Sequence, residues 1–145
     1  MRIALGSDHR GYRLKGFVMD FLRESGYELK DFGAYDEKPL DYPDIAFELA
    51  AAVSRGEHDF GILFCGTGIG MCIAANKARG IRAAVCSSVL DARRARQHNN
   101  ANVLCLREDG EHKLVMEIVN TFLLTPFEGG RHERRIQKIL DFEAL

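Results

Sequence analysis

The chain has 145 residues, 46% hydrophobic and 28% charged, a composition typical of a folded globular domain with enough length to bury a sizeable core. Twenty basic and 21 acidic side chains leave a formal charge of −1, which excludes a basic nucleic-acid binder and argues against a membrane-surface partner. One domain over residues 1–145 is predicted, and no apolar stretch approaches the roughly 20 residues that cross a bilayer.

Met1-Arg2 runs directly into the apolar Ile3-Ala4-Leu5, a short strand that leaves no room for a signal peptide. A helix follows from about Tyr12 to Glu24, with Leu14, Phe17, Val18, Phe21 and Leu22 at helical spacing and Gly26 as its stop. Tyr27 to Phe32 reads as a second strand. Asp41-Tyr42-Pro43-Asp44 opens the next helix, with proline at an early helical position. Strands three, four and five are predicted at Phe60 to Phe64, Arg82 to Cys86 and Asn102 to Leu106. Helices fill the gaps, and two more cover roughly Glu111 to Leu124 and Gly130 to Leu145, parted by Thr125-Pro126.

Short apolar strands interleaved with helices imply right-handed crossovers and a parallel sheet covered on both faces. The expected architecture is a doubly wound, Rossmann-like α/β three-layer sandwich. It has a five-stranded parallel sheet of order 2-1-3-4-5 and an extra C-terminal helix. Ligands in such sheets bind beyond the carboxyl ends of the strands, where neighbouring connections diverge. Here that point lies between strands one and three, so Gly6-Ser7-Asp8-His9 and Cys65 to Gly70 converge on one crevice.

The octet Phe64-Cys65-Gly66-Thr67-Gly68-Ile69-Gly70-Met71 places a thiol at a strand end, followed by alternate glycines that open a helix. Glycine permits sharp turns and close approach of a ligand to the amides, and a helix start favours negative charge. A dinucleotide fingerprint would need glycine at position 71, and a cysteine-phosphatase loop would need arginine there. Met71 removes both. The helix start favours the thiolate of Cys65, which leaves nucleophile, redox centre or general base open. No resolving cysteine lies nearby in sequence, which weakens the redox reading. The other cysteines, Cys72, Cys86 and Cys105, lie in apolar runs and read as small core residues. The absence of a C-x-x-C pair argues against a zinc site, and a reducing cytoplasm is expected.

Three further groups carry candidate chemistry. Asp8-His9 beyond strand one can cap a helix or hold hydroxyls and phosphate. His98-Asn99-Asn100 ends a basic helix, where histidine suits the helix dipole. That segment precedes strand five and so lies at the amino ends of the strands, opposite the crevice. A catalytic His98 therefore predicts an oligomer with shared sites. Gly129-Gly130-Arg131-His132 begins the last helix, where Arg131 and Arg135 stand one turn apart and can clamp a phosphate. The glycine pair is read as permitting close approach.

Taken in order, Gly6-Ser7-Asp8-His9, Asp41-Tyr42-Pro43-Asp44, Cys65-Gly66-Thr67-Gly68-Ile69-Gly70, Ala74-Ala75-Asn76-Lys77, Gly80-Ile81-Arg82-Ala83, Arg96-Gln97-His98-Asn99 and Glu128-Gly129-Gly130-Arg131-His132 resemble the ribose-5-phosphate isomerase B family. That family is grouped with the subunits of galactose-6-phosphate isomerase. The resemblance covers nearly the whole chain. It implies a metal-free, cofactor-free aldose–ketose isomerase of a sugar phosphate, built as a homodimer or tetramer with sites between subunits. Ribose 5-phosphate is the expected substrate, with a hexose 6-phosphate (allose or galactose) or a non-catalytic sugar-phosphate-binding role as alternatives. Carried over by position, Cys65 would move a proton between C1 and C2. His98 would open the sugar ring, assisted by Asp8. Thr67 and the amides of Gly66, Gly68, Ile69 and Gly70 would stabilise the enediolate. His9, Arg131 and Arg135 would hold the phosphate, and Asn99 and Tyr42 would bind the sugar. The chain departs from the family at Leu106-Arg107-Glu108-Asp109-Gly110-Glu111. Asp109 stands where many members carry a substrate-contacting arginine, and Arg107 lies two residues earlier.

Overall fold

Five strands, β1 (Arg2–Ser7), β2 (Glu28–Asp31), β3 (Phe60–Cys65), β4 (Ala83–Val85) and β5 (Val103–Arg107), form one sheet in a computed structural model describing residues 1–145. Every pairing is parallel. Between the strands run α1 (Tyr12–Glu24), α2 (Tyr42–Ser54), α3 (Ile69–Ala75) and α4 (Val89–Asn99), with α5 (His112–Leu124) and α6 (Arg131–Glu143) after the last strand. The doubly wound α/β class and the additional C-terminal helix expected from the sequence are both present.

Side chains alternate across a strand, and the strands here are apolar on both faces because helices cover both. Ile3 and Leu5 of β1, Ile62 and Phe64 of β3, and Leu104 and Leu106 of β5 pack with α1, α4 and α5 in one buried cluster. Ala4, Leu63, Cys65, Val103 and Cys105 project the other way, onto α2 and α3. The α6 helix lies outside this sandwich and rests against α4.

The sheet order is β2-β1-β3-β5-β4, so the expected order 2-1-3-4-5 is corrected at its last two strands. The reason is burial. Val103 to Leu106 are all buried, whereas Ala83, Ala84 and Val85 are only half-buried, and a short, weakly apolar strand belongs at an edge. A right-handed return from β4 to β5 then puts α4 on the same face as α1. At the carboxyl ends, β1 and β5 both lead into helices on one face, while β3 between them leads into α3 on the other. Connections therefore diverge on both sides of β3, which makes a crevice mouth on each side of the Cys65 turn.

One polar element inside the sandwich fixes a rim of that mouth. Lys15 of α1 is 1% exposed, and its ammonium donates to Asp31 Oδ1 at 2.7 Å and to the carbonyl oxygen of Ala34. Burial lowers its basicity and Asp31 opposes that shift, so the pair is held by mutual need. Ser7 and the 33–34 segment also exchange backbone hydrogen bonds, Ser7 N to Gly33 O at 2.7 Å and Ala34 N to Ser7 O at 2.8 Å. Together they anchor the connection that leads to Leu40 and Tyr42.

Candidate active site

The turn after β3 is built around its own sulfur. Cys65 is 4% exposed, and its Sγ accepts a hydrogen bond from the amide of Gly68 at 3.1 Å. Gly68 has φ 79°, a left-handed conformation that glycine adopts without strain, and this turns its N–H back towards the sulfur. Ile69 donates its amide to Thr67 Oγ1 at 3.2 Å. The amides of Gly66, Thr67, Gly70 and Met71 have no donor role within the chain. Two of the loop amides thus serve the loop itself, and four are free for a ligand.

Neighbouring elements close on this turn. Asp8 is buried, and its Oδ1 accepts from the amides of Arg10 at 3.0 Å and Gly11 at 2.9 Å, while Oδ2 takes no hydrogen bond from the chain. His9 accepts at Nδ1 from the Leu40 amide at 3.3 Å, which leaves Nε2 to carry the proton of the neutral ring. Tyr42, at the start of α2, lies over Gly70, where an added Cβ would meet its ring at 2.7 Å. That close approach is why position 70 is glycine. Asp8, His9, Tyr42 and Cys65 to Gly70 are therefore one neighbourhood at the carboxyl ends of β1 and β3.

The remaining candidates form a second neighbourhood at the other end of the sheet. His98 and Asn99 are the last residues of α4, and the guanidinium Nε of Arg82, just before β4, donates to the carbonyls of Asn99 at 3.1 Å and Asn100 at 3.0 Å. Arg96 completes the clamp by donating to Asn100 Oδ1, Ala101 O and Thr125 O. His98 stacks on His132 of α6, with ring centroids 4.3 Å apart and planes 12° from parallel. Arg131 and Arg135 flank His132 on α6 and are exposed. No protein atom lies within 4 Å of where a Cβ would stand at Gly129 or Gly130, which leaves that space open, and their φ values of 71° and 58° themselves favour glycine. Along β5 alone the two neighbourhoods stand about 13 Å apart, at roughly 3.3 Å of rise per residue. One chain does not bring them together.

A profile of the ribose/galactose isomerase family matches residues 3–139. The chain belongs to that family. A structure of ribose-5-phosphate isomerase B from Clostridium thermocellum is similar to it, with TM-score 0.97 and 49% identity, covering 99% of this chain and 98% of that one. A Mycoplasma genitalium ribose-5-phosphate isomerase B with bound ribulose-5-phosphate gives TM-score 0.94 at 44% identity, covering 99% and 96%. A D-erythrulose-4-phosphate isomerase of Pectobacterium atrosepticum is 45% identical over 148 residues, covering 99% of this chain and 95% of that protein.

In this family member, several residues at the site escaped the sequence reading. Arg10 and Glu108 bridge the Cys65 turn as an ion pair, and nothing in their local sequence marks them, because they lie 98 positions apart. His132 is buried, although it sits in a charged run, Arg131-His132-Glu133-Arg134-Arg135, whose other members are exposed. Asp109 is paired in two-pronged fashion with Arg107, Nε to Oδ1 at 2.8 Å and Nη2 to Oδ2 at 3.2 Å. The two lie beside a cavity of about 280 Å³ between the ends of β4 and β5. The donor atoms of His98, Glu128 and His132 fall within 4.8 Å of one another. A metal must lie in the plane of each imidazole that binds it, and two nearly parallel stacked rings do not share such a point. The cluster fits stacking better than coordination. No helix of the isomerase is long and apolar enough to cross a membrane.

Proposed function

We propose that the chain interconverts ribose 5-phosphate and ribulose 5-phosphate through an enediolate. The observation that carries this reading is the buried Cys65 thiol held by the Gly68 amide beside four unused amides. A proton removed from carbon next to a carbonyl needs a fixed base and donors waiting where oxygen charge develops. Cys65 takes the C2 proton of the open aldose and returns it to C1, while the proton on O2 passes to O1. Thr67 and the free loop amides carry the oxygen charge between these steps. His98 gives a proton to the ring oxygen as the bond from C1 to the ring oxygen of the cyclic sugar breaks. Asp8 assists at the ring oxygen or hydroxyls, where it takes the proton that the C1 hydroxyl releases on becoming the carbonyl. His9, Arg131 and Arg135 hold the phosphate, and Asn99 and Tyr42 hold the sugar.

The separation of the two neighbourhoods supports a homodimer in which each crevice is completed by His98, Asn99, Arg131 and Arg135 of a second copy. Exposed Tyr42, Phe47, Ile69 and Ile73 on α2 and α3 offer apolar surface for that contact. The four free cysteines suit a reducing cytoplasm.

The test is Cys65→Ala. Turnover should fall by about 10²–10⁴, the usual worth of a positioned acid–base group, while ribulose 5-phosphate still binds. Isomerisation at the normal rate by that variant overturns the reading. The four-carbon substrate named for the Pectobacterium relative, and the neutralised Arg107–Asp109 pair at the end of β5, favour a second reading on sugar phosphates of another length. Comparing kcat/KM over four-, five- and six-carbon aldose phosphates decides between them.

A further inference from the structure

His132 is the most buried polar side chain of the second neighbourhood and has no role in the reading above. It is 6% exposed and stacked face to face with the half-buried His98. The segments that carry the two rings are tied together. The Glu128 amide donates to Gln97 O at 3.1 Å, tying the segment before α6 to α4. The His132 amide donates to Gly129 O at 3.1 Å. Arg82 and Arg96 hold the turn that follows His98. His98 therefore presents one ring face to a fixed neighbour and has little freedom to rotate.

We propose that His132 is the positioning residue for His98: it holds that ring in one orientation and keeps the stacked pair to a single proton, carried by His98. This rests on His98 being the ring-opening acid. Two imidazolium rings with centroids 4.3 Å apart repel each other, which disfavours a second proton on the stack. The charged and titratable groups facing His132 are His98 on α4, Glu128 before α6, and Arg131 and Arg135 on α6. Desolvation, then His98 and Arg131, lower the basicity of His132; Glu128 opposes this and Arg135 adds to it. The less buried ring takes the proton, and the neutral ring beneath offers its face to the cation.

The chemistry provides a readout that a merely structural residue would not move. Ribulose 5-phosphate has its 5-hydroxyl esterified and cannot close a furanose ring, so the reaction from the ketose side needs no ring opening. In the full-length protein, His132→Ala should lower kcat from ribose 5-phosphate about tenfold or more, with kcat from ribulose 5-phosphate within about twofold of the parent. His132→Phe keeps a ring in the stack and should recover most of the loss. Parallel loss in both directions, or no loss in either, overturns the proposal.

A second measurement is independent of turnover. Titration of the imidazoles by NMR should show two well-separated steps for the His98–His132 pair, with His98 filled first. In His132→Ala the midpoint of His98 should move. An unmoved midpoint, or His132 filling first, overturns the proposal. If the parent protein turns over neither sugar phosphate, the functional reading fails while this titration still decides the proton's place.

Discussion

Arg10 and Glu108 close a two-pronged ion pair across the turn that carries Cys65, Nε to Oε2 at 3.1 Å and Nη2 to Oε1 at 2.6 Å. Glu108 also donates its own amide to the carbonyl oxygen of Cys65 at 3.0 Å, and a Cβ at Gly66 would lie 3.3 Å from the Arg10 guanidinium carbon. The pair thus straps the loops after β1 and β5 over the loop after β3. Arg10→Gln should lower kcat/KM about tenfold by loosening the cradle. It should barely move the melting temperature, because the arginine is well exposed. Steady-state kinetics beside a thermal melt measure both, and a melting shift with unchanged kinetics would reassign the pair to stability alone.

Completion of the crevice by a second copy is tested by mixing Cys65→Ala with His98→Ala and assaying from ribose 5-phosphate, the direction in which each variant alone should be inactive. Half of randomly exchanged dimers contain one of each, and each mixed dimer has one intact crevice out of two. About a quarter of full activity should return. Proven subunit exchange without recovery would count against His98 serving the partner's crevice.

Gly11 is the tightest backbone position at the site. A Cβ there would sit 2.5 Å from the carbonyl oxygen of Phe64, and that oxygen also accepts from the Asp8 amide at 3.2 Å. Gly11→Ala should cost about 2–3 kcal/mol of stability, as overpacking against rigid neighbours does, and should displace Asp8 enough to depress activity. Urea denaturation gives the first number. Stability unchanged from the parent would mean that the turn has slack.

His58 should make folding sensitive to acid. Its Nδ1 is buried without a partner, and its ring meets Phe32 edge-on at 5.8 Å. Desolvation first, then Lys30 and Arg2, lower its basicity below the ordinary 6.5, with Glu57 and Asp59 opposing. Below about pH 6.5 the unfolded chain takes up a proton that the folded chain resists, so stability falls as pH drops through that window. Its neighbour in sign is His132, whose basicity is also lowered. Denaturation curves at pH 7 and 5.5 should lie closer together in His58→Gln than in the parent, with His132 still contributing to the slope, and an unchanged pH slope would clear His58.

Cys72 should be the thiol outside the Cys65 turn most open to alkylation. It is half-buried, and its thiol is brought down to about 7, with the neighbouring Cys105 thiol the chief cause, against burial and with help from Val85 and Asn76. Burial pushes Cys86 up to about 12, and Cys105 is raised well above its ordinary value. Iodoacetamide should modify Cys72 with a rate that reaches half its plateau near pH 7, read by peptide mass spectrometry. Faster labelling at Cys86 or Cys105 would reverse that ordering.

The sequence made the helices and strands readable because their apolar periods are strong, as the span of α1 illustrates. The Cys65 turn was readable for a different reason: glycines at alternate positions have few other uses. Lys15 was not, because its position on an apolar face makes sense only beside Asp31, sixteen residues away. The commonest topology gives the wrong order for β4 and β5, although Ala83-Ala84-Val85 beside Val103-Leu104-Cys105-Leu106 favours the edge for β4. Stacking of His98 on His132 joins two helices that contact only in three dimensions, and no local pattern carries that.

The placement of β5 between β3 and β4 has a consequence for synthesis. β4 pairs only with β5, and β5 also supplies the second partner of β3. While the nascent chain is shorter than about 107 residues, the growing sheet ends at β3, and β4 waits with neither edge paired. The strand bearing Cys65 is then the open margin, the kind of edge that recruits foreign strands. The last of the five strands to leave the ribosome seals that margin and brings Glu108 to cap the Cys65 turn, so this loop matures only after β5 has been made.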